Sequence, residues 1–109
     1  MSKSTLYGAK LYDAKLTNAN LDRADLRSAE LIVADLCEAS KINADLSDTR
    51  FNAAYMVSID LRNAILVNAI LLDSDLSDAN LKNADLSGSY LCRADLVGGR
   101  LKCRNFGEC

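Results

Sequence analysis

The sequence has no histidine, no proline and no tryptophan, and aromatic residues make up only 6% of its 109 positions. Without histidine, the commonest general base and the commonest metal ligand are both missing. The four cysteines, Cys37, Cys92, Cys103 and Cys109, include no C-x-x-C pair, so neither a zinc site nor a redox pair is indicated. Cys103 and Cys109 alone lie close enough in sequence to be considered for a disulfide. Without proline, no backbone donor is removed, which suits a chain whose segments hydrogen-bond to one another throughout. The five glycines (Gly8, Gly88, Gly98, Gly99, Gly107) lie mostly toward the ends. No apolar run approaches the roughly 20 residues of a membrane span. The first ten residues, MSKSTLYGAK, lack the apolar centre of a signal peptide, so the expected compartment is the cytoplasm. Charge of one sign is missing too: 13 basic against 15 acidic residues give −2. They are spread evenly over both halves, which argues against nucleic acid or an anionic membrane as partner.

What is present is a period of five. From Leu6 to Phe106, every fifth position gives 21 residues: 17 Leu, two Phe, one Met and, at Lys41, one Lys. Of the 18 leucines, only Leu72 lies off this beat. Two residues before the beat, 14 of 21 positions are Ala and three are Ser; one residue before it, ten of 21 are Asp or Asn. Repeats of this regularity take precedence over any helix or strand assignment. On an α-helix, five residues advance about 500°, so the leucines would spiral around it. On a flat strand, an odd period would send successive leucines to opposite faces. If all of them line one core, the backbone must bend between them. The chain therefore coils, with short extended pieces joined by bends, Leu lining the interior and Ala or Ser placed where the wall is tight.

The recurring A-[D/N]-L-x-x motif resembles that of the pentapeptide-repeat family over about residues 4–106. The resemblance implies an all-β fold, a right-handed quadrilateral β-helix with four repeats per coil and about five coils. Residues 1–109 form one domain in this reading, with a short cap at 1–3 and a tail at 104–109. Arg104 marks the end of the pattern and Phe106 is a candidate lid on the last coil.

With four repeats per coil, residues twenty apart stack. Asn43, Asn63 and Asn83, continued by Cys103, then form a column, read as a structural amide ladder. Asp25, Asp45 and Asp85, and likewise Asp35, Asp75 and Asp95, read as solvated, turn-forming acids. Apolar residues at outward positions carry more information. Tyr12, Ile32, Val33, Ala53, Ile70, Leu72 and Tyr90 fall on the second face. Tyr55 and Val57 fall on the third, and Ile65 and Val67 on the first. A large contiguous apolar patch marks a contact surface.

Lys41 breaks the beat. In strict register its side chain enters the core between Leu21 and Leu61, where an unpaired ammonium is costly. The favoured geometry is a bulge that puts Ile42 in the core, spaced six from Leu36 and four from Leu46, and frees Lys41. The alternative keeps register, with the amine snorkelling to a wall.

No catalytic constellation, Gly-rich phosphate loop or cofactor motif departs from the repeat, so no catalytic, cofactor-binding or metal residues are assigned and no small-molecule substrate is expected. The reading is a bacterial, non-enzymatic, rigid scaffold that binds a protein or itself. The family resemblance adds an alternative, since some members mimic B-DNA, bind gyrase and protect it from quinolones. Five coils at about 4.8 Å make a rod of about 25 Å, the length of roughly seven base pairs and about fourteen charges. A net charge of −2 is a poor copy of that.

Overall fold

In a computed structural model of the chain, which describes residues 5–100, every described repeat makes the same local turn. The Ala9 N–H donates to the Leu6 carbonyl at 3.0 Å, and the same bond recurs from each beat residue to the third residue after it. The residue two after the beat has a left-handed backbone, as at Asp13 (φ 57°), Asn43 (φ 60°) and Arg93 (φ 60°). A β-turn with a left-handed third residue is what a type II corner requires. Among the described residues, sixteen non-glycine residues and three glycines hold this conformation; five of these corners are Asn and four are Asp. Asn, Asp and Gly tolerate it best, and they account for most of the corners.

Between corners the chain is extended for three residues: the small residue, the polar one and the beat residue. The middle one bridges in parallel to the residue 20 positions on, in 16 bridges from Thr5–Asp25 to Asn80–Arg100. Glu30 is representative. Its N–H donates to the Ala9 carbonyl at 2.9 Å, and its carbonyl accepts from the Leu11 N–H at 2.8 Å. A stacking interval of 20 over a repeat of five gives four walls to a coil. Wall 1 carries Thr5, Asp25, Asp45, Ile65 and Asp85 at its midline; wall 2 Lys10, Glu30, Arg50, Ile70 and Tyr90; wall 3 Lys15, Asp35, Tyr55, Asp75 and Asp95; wall 4 Asn20, Ser40, Asp60, Asn80 and Arg100. The longest extent is 27 Å, close to the length expected from five coils.

This geometry explains the Asp/Asn preference in the motif. Along the repeats of the inner coils, only the N–H just after the beat residue has no backbone acceptor. The carboxylate two residues earlier supplies one. Asp35 accepts from the Cys37 N–H at 3.1 Å, Asp75 from Ser77 at 3.0 Å and Asp85 from Ser87 at 3.0 Å. The acids are thus local turn ligands of the backbone.

The core is one column, mostly Leu and Ala with Phe51, Met56 and Ile59 among them, buried from Leu21 through Leu91. Where Thr or Ser replaces Ala, the hydroxyl is satisfied by a carbonyl: Thr49 Oγ1 donates to Leu26, Ser74 Oγ to Leu71 and Ser89 Oγ to Leu86. Apolar packing and backbone pairing therefore reinforce one another.

Two expectations are corrected. The bulge at Lys41 is not formed. The Lys41 N–H donates to the Asp60 carbonyl at 2.8 Å and the Ala44 N–H to the Lys41 carbonyl at 3.1 Å, both in strict register. The Lys41 side chain lies in the core at 0% exposure, and Ile42 is only half-buried at the corner. Nor does the amine snorkel: among the described residues, Lys41 Nζ is a buried side-chain polar atom with no hydrogen-bond partner. The bulge would have broken backbone pairing to coils on both sides, whereas the in-register lysine keeps every such bond. The second correction concerns Asn43, Asn63 and Asn83. They stack, but among the described residues no side-chain hydrogen bond is found between them. They occupy corner positions at φ 60°, 59° and 62°, so the conformation they tolerate accounts for them. The Cys103–Cys109 pair, the Arg104 terminus and the Phe106 lid lie outside the described residues. Among the described residues, no helix is long and apolar enough to cross a membrane.

Candidate interaction surface

Outward side chains come from two kinds of position. Mid-wall residues stand on the flat faces, and the two residues after each beat form the corners. The residues read from sequence as one second face therefore divide. Ile70 and Tyr90 are on wall 2. Tyr12, Ile32, Leu72 and then Val33 and Ala53 run along the corner that follows it. The corner stacks through the Asp13 N–H to the Ile32 carbonyl at 3.2 Å, Val33 to Asn52 at 3.0 Å and Ala53 to Leu72 at 2.9 Å.

The corner and wall 2 are adjacent, and they form one surface with two apolar ends. Toward the N-terminal coils lie Tyr12 at 49% exposure, the half-buried Ile32 and Val33 at 40%. Toward the C-terminal coils lie the half-buried Ile70 and Leu72 with Tyr90 at 54%. Between them stand Arg50 and Asn52, and Asp73 pairs with Arg93 beside the C-terminal end. Tyr12 is not free to turn: its hydroxyl donates to Glu30 Oε1 at 2.8 Å. That bond, above all, raises the phenol's pKa.

The remaining candidates are not part of this surface. Tyr55 bridges Asp35 and Asp75 on wall 3, and Ile65 bridges Asp45 and Asp85 on wall 1. Each is a single exposed apolar residue with an acid on either side in its column. Val57 and Val67 are half-buried at the corners that follow those walls. Among the described residues, two large exposed apolar residues escaped the sequence reading, Tyr7 and Val97. Their offset, one residue after the beat, was the available signal. Tyr7 is covered on one side by the Arg27 guanidinium, 5.2 Å from the ring centre.

Val33 is the most informative of these residues. A β-branched side chain at φ 62° is strained, because its branched carbon crowds the adjacent carbonyl. Retaining a valine that is 40% exposed at a corner that Asn or Asp suits better is a local cost that packing offsets only in part.

Chemically the surface offers apolar contact and a few charges, with no assembled acid–base pair. Asp25 is held below the usual carboxylate range by its hydrogen bonds from Arg27, and Asp60 likewise by Arg62. Cys37 is pushed up by burial, away from thiolate character. Among the described residues there is no enclosed pocket and no group of His, Cys, Asp or Glu placed to hold a metal ion.

Comparison with known proteins agrees with the geometry. The family model described as pentapeptide repeats matches in eight copies, over residues 4–40, 44–83 and 74–103. The match lapses only at 41–43, around Lys41, within that span. The pentapeptide repeat protein Rfr23 from the cyanobacterium Cyanothece 51142 superposes with a TM-score of 0.80 at 26% identity, covering 94% of this chain and 88% of that one. A pentapeptide repeat protein of the Arabidopsis thaliana thylakoid lumen superposes with a TM-score of 0.82 at 23% identity, covering 85% of this chain and 65% of the other. QnrB1, a plasmid-mediated fluoroquinolone resistance protein, aligns at 20% identity over 90% of this chain and 60% of its own, with a TM-score of 0.44, too loosely to bear on function. No curated protein sequence matches. The chain belongs to the pentapeptide-repeat family, and its four-walled coil is that family's right-handed quadrilateral β-helix.

Proposed function

We propose that the chain is a rigid, non-catalytic platform on which a protein docks, through wall 2 and the corner that follows it. The observation that carries this reading is the exposure of Tyr12, Val33 and Tyr90 on one continuous surface, with Val33 held in a strained corner. A coil locked by backbone bonds on both sides loses little freedom on binding, so modest apolar contact is enough for recognition. A cytoplasmic location belongs to the same proposal. The docking surface is tested by changing Tyr12, Val33 and Tyr90 to Ser. Wild type and variant are compared by sedimentation at micromolar concentration, for self-association, and by affinity capture, for a partner. Loss of a defined complex in the variant supports the surface; identical behaviour of a complex-forming wild type and variant removes it. Gyrase binding is the alternative raised by the family, opposed by the net charge of −2. Protection of gyrase from a quinolone in a supercoiling assay would reinstate it.

A further inference from the structure

Lys41 and Ile42 compete for one place in the core. The slot between Leu21 and Leu61 holds Lys41, fully buried, with its amine unpartnered among the described residues. The next residue is an isoleucine, apolar and large enough to fill the slot, yet it sits half-buried at the corner. We propose that wall 4 of the second coil with the corner that follows it, residues 39–43, is a proton-driven switch between two registers. In the register seen, the neutral Lys41 chain fills the slot. On protonation the wall slips by one residue, Ile42 fills the slot and the Lys41 ammonium reaches solvent.

The groups around the slot fit this device. Those facing inward from the second coil and its neighbours are Leu, Ala, Phe, Met, Ile and Thr49, none of which titrates. Nothing inside can pair with a proton gained by Lys41. On the outside, the charged groups of wall 4 and its corner in the adjoining coils are Asp22, Arg23, Asp60 and Arg62, with Asp45 on the wall that follows. Asp22 accepts from the Ser40 hydroxyl and from the Ile42 N–H at 3.0 Å. Asp60 is held by Arg62 in a two-pronged pair. A Lys41 ammonium leaving the core would emerge between the Asp22 and Asp60 carboxylates.

The cost of slipping is local. The bonds to be remade are those of residues 39–44: Ala39 N–H to Leu36, Ser40 N–H to Ala19, the Leu21 N–H to the Ser40 carbonyl, the Asp60 N–H to the Ala39 carbonyl, the Ser40 hydroxyl to Asp22, Lys41 N–H to Asp60, Asn43 N–H to Arg62, Ala44 N–H to Lys41, the Arg23 N–H to the Ile42 carbonyl, and Ile42 N–H to Asp22. Flanking repeats re-enter register at Ala44, so no other coil moves. Two packings of this one segment, each with its own set of backbone bonds and only one of which excludes a charge, make a bistable element.

Burial lowers the Lys41 amine to about 7 from an ordinary 10.5. The exposed register binds the proton as an ordinary lysine does. The ratio of exposed to buried register therefore rises about tenfold for each pH unit lost between about pH 10 and about pH 7, then levels off as the buried amine itself becomes charged. The experiment follows the Ile42 δ1-methyl and Lys41 ε-carbon resonances of the folded chain from pH 10 to pH 6.5. The expected result is a second environment for both residues that grows as pH falls. Lys41→Met, apolar in the core register, should show one environment throughout. Ile42→Ser, which cannot fill the slot, should suppress the second environment. A wild-type Ile42 signal of constant position and intensity across the range overturns the switch. So does the same second environment in Lys41→Met. If Ile42→Ser does not fold, wild type against Lys41→Met still decides.

Discussion

Replacing Lys41 by methionine should stabilise the protein strongly at neutral pH and weakly at alkaline pH. Methionine matches the length of the lysine stem and carries no charge. In the unfolded chain the Lys41 amine keeps its proton up to about 10.5, whereas in the core it holds one only below about 7. Between those values the unfolded state binds more protons, so wild-type stability rises with pH through this window. At 1.36 kcal/mol per unit, the charged amine costs the wild type about 4 kcal/mol at pH 7 and about 1 kcal/mol at pH 10. Lys41→Met removes that cost, so its advantage should shrink by about 3 kcal/mol from pH 7 to pH 10. Where the wall slips and lets the ammonium out, the gain at pH 7 is capped by the cost of slipping, but the direction with pH is unchanged. Urea denaturation followed by far-ultraviolet circular dichroism at the two pH values measures it. An advantage no larger at pH 7 than at pH 10 would refute the reasoning, because it would mean that Lys41 is not buried as an amine.

Three further outcomes are expected. Val33→Asn should stabilise by about 1 kcal/mol in urea denaturation, because relief of left-handed strain exceeds the loss of a partly exposed side chain; a destabilised variant would show that Val33 packs better than its exposure suggests. Asp75→Ala leaves the Ser77 N–H without its acceptor at 3.0 Å; it should cost about 1 kcal/mol and speed exchange of that one amide, with distant amides unchanged. Ala54→Leu overfills a slot that is 1% exposed and should cost at least about 1–3 kcal/mol, or prevent folding, whereas a silent substitution would contradict a tightly packed wall.

The coil itself was legible in the chain. A five-residue beat of Leu with Ala two before it cannot serve a helix or a flat strand, and it states directly which two positions of each repeat face inward. That is a property of period, and a period is visible in one dimension. A stacking interval of twenty, four repeats of five, makes Ile70 and Tyr90 neighbours by counting alone. Three matters needed the tertiary structure. The beat does not say where the bend falls, so wall and corner residues merge into one face when read in one dimension; Ile32 and Leu72 are corner residues. Asn43, Asn63 and Asn83 could be seen to stack, but only their backbone angles revealed corners that favour asparagine. Lys41 was decided by competition. Read alone, a lysine avoids a core, and an adjacent isoleucine invites a bulge. In the folded chain, residues 41–44 bond to the coils on either side. Those bonds are lost together if the wall slips, whereas a single amine escapes its burden by giving up one proton.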